Sequence, residues 1–163
     1  MEGLLDRILT LNLIGTTIVF YVAARIYLLS HLGRLQPKSI LLPILLLHSL
    51  RHLGLMFLTR GATYPGLPQQ FAYPAALGDF ITAVLAFIAL FPTLRGSNAA
   101  RPLVWLFNIF GTLDLISAIT LATVYRAPAF MGPAYWIPAF WVPSLLVTHY
   151  ITFLVLLKYW KSS

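Results

Sequence analysis

Residues 40–59 read ILLPILLLHSLRHLGLMFLT. About 20 mostly apolar residues are what a helix needs to cross the hydrocarbon of a bilayer. This stretch has that length, yet it carries His48, Arg51 and His52 at its centre. The two halves of that reading decide the fold class and locate the chemistry.

Four further stretches have the same character, at about 8–30, 71–91, 102–125 and 137–157. The breaks between them hold turn residues: Gly33 and Pro37, Gly61 to Pro68, Pro92 to Asn98, and Pro128 to Pro133. The segments are too long for barrel strands and lack strict alternation. The expected fold is an all-α integral membrane protein, a five-transmembrane-helix bundle forming one domain over residues 1–163.

Composition agrees. Only 9% of the residues are charged and 60% are hydrophobic, whereas a soluble domain is roughly 25% charged. The chain has no cysteine, which excludes disulfides, thiolate metal sites and a cysteine nucleophile. The net charge of +7 is spread over short loops and helix ends. That distribution suits topology signals and anionic lipid headgroups rather than nucleic acid. The first residues, Met1 to Arg7, lack the basic start of a signal peptide.

Arg34, Lys38, Arg95, Arg101, Lys158 and Lys161 fall on one side, and Arg7, Arg60 and Arg126 on the other, beside Glu2 and Asp6. The positive-inside rule then predicts the N-terminus outside and the C-terminus cytoplasmic. The expected location is a cell membrane, the bacterial inner (plasma) membrane. Aromatic residues mark both interfaces, Tyr64, Tyr73, Tyr135, Trp136 and Trp141 outside and Tyr27, Trp105, Tyr159 and Trp160 inside, as in any such protein.

The spans contain two acids, Asp79 and Asp114, three histidines, His48, His52 and His149, and Arg51. Counting along each span puts all six near the middle of the membrane. A charged side chain there costs roughly 2.5–3.5 kcal/mol when unpaired, so these groups are expected to face one another or a wet cavity. Helical phase supports convergence. His48, Arg51, His52 and Thr59 share a stripe at offsets of three and four. Asp79 lies in a face of small residues, Ala72, Ala75, Ala76, Thr82, Ala83 and Ala86, which allows close helix approach. Asn108, Gly111, Thr112 and Asp114 form a polar arc on the fourth span. Trp141, Leu145, Thr148, His149 and Thr152 share a face of the fifth, and the first adds Asn12 and Thr16.

Two aspartates against one arginine leave a surplus negative charge. A protonated histidine, a bound cation or a protonated aspartate would each resolve it. His48 and His52 have the i, i+4 spacing of a metal-ligand pair, with His149 as a third ligand. Arg51 between them opposes a cation, and plain interhelical hydrogen bonding accounts for the same spacing. A histidine pair with His149 also suits axial ligation of haem. A serine hydrolase is disfavoured, since no Gly-x-Ser-x-Gly is present. The Pro- and Gly-rich segment 60–70 and the aromatic segment 127–143 suggest an outer vestibule, with interfacial anchoring as the simpler alternative.

In size and five-helix plan the chain resembles small ligand-binding and isomerase membrane proteins of the translocator and sterol-isomerase type. No motif of those families lies on this sequence, and the resemblance transfers no site. Three functions follow from the residues. The first is a bundle that binds a small lipophilic ligand or cofactor at the midplane His/Asp/Arg cluster, with acid–base chemistry available there. The second is a non-catalytic subunit or assembly factor of a larger membrane complex. The third is a proton-coupled transporter, which at this length would work as a homo-oligomer.

Overall fold

The computed structural model describes residues 2–160. Lys161, counted in the charge balance above, lies outside them, as do the side chains of Glu2 and Asp6. Five helices are long and apolar enough to cross a membrane, and no strand occurs among the described residues.

Helix α1 is Glu2–Tyr27 and α2 is Pro37–Ser49, continued without a break by a 3-10 helix, Leu50–Leu58. Helix α3 is Gln69–Arg95 and α4 is Ala100–Val124. Helix α5 is Val142–Leu154, entered through a π-helical turn, Ile137–Trp141, and left through another, Val155–Tyr159. Pro138 and Pro143 fall in the first turns of their segments, where a missing N–H costs little. Gly96 ends α3 in the left-handed conformation, φ 66°, the usual glycine stop.

Helix α3 is the centre of the bundle, packed on α2 with its 3-10 extension and on α4. All six of the small residues read as its packing face are buried. Helix α5 packs against α4 and α2, and α1 leans on α5 and on the segment after α4. None of the described side chains of α1 is buried, which makes it the least embedded helix. One apolar core, including Leu41, Leu45, Phe107 and Leu156, fills the end near the α1–α2 connection. A second, including Phe57, Phe71, Leu115 and Met131, fills the other end. The polar cluster lies between them.

The 3-10 continuation of α2 alters the phase expected from the sequence. With three residues per turn, positions i and i+3 eclipse. Arg51, Gly54 and Phe57 are accordingly all buried against α3, while His52 and Thr59 turn outward and are exposed. The common stripe of His48, Arg51, His52 and Thr59 therefore does not form.

Segments 60–70 and 127–143 are joined by backbone hydrogen bonds into a cap. Tyr64 N–H donates to Phe130 O at 2.9 Å, and Ala134 N–H to Ala62 O at 2.9 Å. Gly132, at φ 49°, lets the chain pass over Tyr64, whose backbone N would lie 3.2 Å from a Cβ at that position.

Candidate functional site

Arg51 organises the site. It is 1% exposed, and each of its three nitrogens is engaged by an acceptor. Nε donates to Asp79 Oδ1 at 2.7 Å, and Nη2 lies 2.6 Å from the same oxygen. Nη2 also donates to Asp114 Oδ2 at 2.5 Å. Nη1 donates to Gly111 O at 3.2 Å and meets His149 Nε2 at 3.3 Å. Three helices thus converge on one side chain of a fourth, satisfying the requirement that a buried charge be paired and hydrogen-bonded.

The network assigns the histidine tautomers. A guanidinium only donates, so His149 Nε2 accepts from Arg51 and its proton sits on Nδ1. Nδ1 then donates to Asn108 Oδ1 at 2.7 Å, and Asn108 Nδ2 donates back to His149 O at 3.4 Å. The Thr148 hydroxyl donates to backbone at Ser144 O or Leu145 O, 2.9 and 3.0 Å. It therefore accepts from His48 Nε2 at 2.9 Å. His48 Nδ1 is left as a buried atom with no hydrogen-bond partner among the described residues. The ring of His48 lies 4.3 Å from that of His149 and 4.9 Å from Phe107, centroid to centroid.

Of the residues expected from the sequence, the structure brings together His48, Arg51, Asp79, Asp114 and His149, with Asn108 and Thr148 in support. Thr112 bonds only back to Asn108 O at 2.7 Å. His52 is exposed and turned to Ser49 O at 3.0 Å, so the His48–His52 metal pair is not formed. Both nitrogens of His149 and Nε2 of His48 are already engaged, and no group of three or more potential metal ligands converges among the described residues. The direct ring contact of His48 with His149 leaves no slot for a porphyrin between them. These residues do not fit the metal or haem that their spacing left open.

Three residues of the site were not singled out as making room for its side chains. Gly54 faces Asp79, Gly78 faces Asp114, and Gly111 faces His149 and Thr82. Any Cβ at Gly54 or Gly78 would collide with the carboxylate opposite, and one at Gly111 would lie 2.7 Å from His149 Cε1. The available signal was a glycine inside an otherwise apolar span, where it costs helix stability and calls for a packing reason.

Beside Asp79, towards the cap, lies a cavity of about 40 Å³, room for about three waters. Among the described residues Asp79 is the one ionisable residue lining it; the others are apolar, among them Leu9 and Leu13 of α1, Phe57, Leu115 and Met131. Asp79 therefore joins the ion-pair network to an apolar chamber.

A family described as Domain of unknown function (DUF8737) matches residues 8–157, a range that includes every residue of the site. No curated protein and no solved structure matches the chain.

Proposed function

The chain belongs to the DUF8737 family, and from the geometry of its site we propose that it is a five-span protein of the bacterial inner membrane that binds a small lipophilic molecule beside Asp79. The observation that carries this reading is the apolar cavity with one carboxylate in its wall. Binding sites for small molecules combine mostly apolar walls with a few placed polar groups. With the N-terminus outside, as the Lys/Arg balance favours, the cavity lies in the outer half of the membrane under the cap.

The chemistry of the wall restricts the ligand. An ionised carboxylate offers acceptors only, and one arginine faces two aspartates, a formal surplus of one negative charge. The favoured ligand has an apolar body and a head that donates a hydrogen bond or carries positive charge. A proton passed from that head to Asp79 would remove the surplus, which is the acid–base step available here. Sites for drug-sized molecules span about 300–1,000 Å³, so binding requires the cavity to enlarge. Leu9 and Leu13 belong to the least embedded helix, and outward movement of α1 provides the space.

The test uses purified full-length protein in detergent, a tertiary-amine local anaesthetic as probe and its uncharged isostere as control. Saturable binding of the amine is expected, abolished by Ala118→Phe, which fills the cavity, and weakened about tenfold or more by Asp79→Asn. Amine binding that survives Ala118→Phe unchanged overturns the reading.

A second reading, a non-catalytic subunit or assembly factor of a larger membrane complex, is favoured by the Arg51 network, which engages every nitrogen of the guanidinium. It predicts a stoichiometric membrane partner on extraction in mild detergent and no response to the amine.

A further inference from the structure

The charged residues of this chain are unevenly distributed. Asp79 and Asp114 are consumed by Arg51, and the two remaining acids, Glu2 and Asp6, belong to the start of α1. The opposite end is formed by the α1–α2 connection, the α3–α4 connection and the last turn. It carries Arg25, Arg34, Lys38, Arg95, Arg101 and Lys158, with no carboxylate side chain among the described residues. A groove of about 570 Å³ opens there, lined by Gln36, Lys38, Ser97, Asn98, Arg101 and Trp160, among others. Its size is that of a small-molecule site.

Two cations face this groove in different ways. Lys38 Nζ donates to Leu94 O at the end of α3. This bond ties the ammonium to the end of α3 and uses one of its three N–H donors. Arg101 is exposed at the start of α4, where its planar fork is available for bidentate pairing with phosphate oxygens. Ser97 and Asn98 also line the groove and add neutral donors. Leu94, the acceptor for Lys38, belongs with Phe87 and Phe91 to α3; each of the three is about half exposed, and the two rings lie edge to face at 5.2 Å.

We infer that this groove binds the phosphate of an anionic phospholipid headgroup, with Arg101 and Lys38 on the phosphate and an acyl chain along Phe87 and Phe91. A basic groove whose Lys38 is tied to α3 within a turn of the half-exposed Phe91 suits a lipid better than a soluble phosphate ester. Basic residues placed only as topology signals would need no groove and no particular pair. The inference is independent of the Asp79 cavity.

Native mass spectrometry of the full-length protein with dioleoyl phosphatidylglycerol and dioleoyl phosphatidylcholine tests it. Phosphatidylglycerol should bind at least about fivefold more tightly, by an electrostatic contribution that salt weakens. Arg101→Gln alone should remove most of that preference, and Lys38→Gln with Arg101→Gln nearly all of it. Arg34→Gln with Lys158→Gln removes equal charge at the same end but outside the groove and should leave the preference in place. Equal loss in both double variants overturns the inference in favour of diffuse charge. Comparable binding of glycerol 3-phosphate overturns the lipid assignment, and absence of any preference overturns both. Thermal midpoints of the variants identify any that fail to fold, and Arg101→Gln, an exposed change that leaves the Lys38–Leu94 bond intact, keeps the test decisive.

Discussion

The carboxylate of Asp114 occupies the space that a side chain at Gly78 would need. The two residues belong to α4 and α3, and the missing Cβ is what lets Asp114 reach Arg51 Nη2 at 2.5 Å. Gly54 does the same for Asp79. Replacing either glycine with alanine should force the carboxylate aside or part the helices. Overpacking of this kind costs about 1–3 kcal/mol. Unfolding in detergent of Gly78→Ala and Gly54→Ala, compared with Gly15→Ala in the open part of α1 where nothing lies within 4 Å, checks this. Equal stability of all three would refute the close-approach role.

Removing Arg51 should be the most damaging single change in the chain. Arg51→Gln leaves two buried carboxylates without a counter-charge, and breaking a buried pair from one side costs about 3–5 kcal/mol. Asp79→Asn, by contrast, leaves one arginine with one aspartate, a balanced pair, and should cost much less. Combining Arg51→Gln with Asp79→Asn and Asp114→Asn removes every charge and should recover a large part of the loss. Denaturation midpoints for the four proteins measure the order, and an Asp79→Asn variant as unstable as Arg51→Gln would contradict the charge arithmetic.

His48 and His52 should separate sharply despite their spacing. His48→Phe keeps a ring against Phe107 and His149 and removes the unpaired Nδ1. An unsatisfied buried polar atom costs about 1–3 kcal/mol, against about 0.5–1.5 kcal/mol for the lost Nε2 bond to Thr148, whose hydroxyl keeps its backbone acceptors, so this variant should be as stable as the parent or more so. If it also loses amine binding, His48 is retained for function against the interest of stability. His52→Ala, at an exposed position, should change stability by no more than about 0.5 kcal/mol. His149→Phe should destabilise, because Asn108 and Arg51 Nη1 both lose a partner.

The five helices were legible because twenty-residue apolar runs separated by glycine and proline are a strong signal, and five helices long and apolar enough to cross a membrane occur, although α1 begins at Glu2, ahead of the expected start at 8. The Ala-rich face around Asp79 was legible for the same reason, as a regular α-helix keeps its 3.6-residue phase along its length. The facing of His52 was not legible. Composition does not distinguish a 3-10 continuation at Leu50–Leu58 from an α-helix, and one change of pitch moves His52 out of the cluster while retaining Arg51. The cap was only half legible. Proline, glycine and aromatic content marked segments 60–70 and 127–143, but the backbone bonds from Tyr64 to Phe130 and from Ala134 to Ala62 join residues far apart in sequence.

The absence of cysteine makes the membrane orientation directly testable with single introduced thiols. Thr63→Cys lies in the cap, and Ser97→Cys in the α3–α4 connection at the opposite end of α3. Positive charge resists transfer across the membrane during insertion, and by sequence the end bearing Ser97 carries the larger number of lysines and arginines in its short loops. An impermeant maleimide should therefore label Thr63→Cys on intact cells and Ser97→Cys only after permeabilisation. The reverse pattern would put the cap and the Asp79 cavity in the cytoplasmic half, so that a lipophilic ligand would reach Asp79 from the other leaflet. It would also place the Lys38–Arg101 groove at the outer surface, away from the anionic lipids of the cytoplasmic leaflet. Adding two lysines beside Thr63 should shift labelling towards that inverted pattern if loop charge sets the topology, and should leave it unchanged if another determinant does.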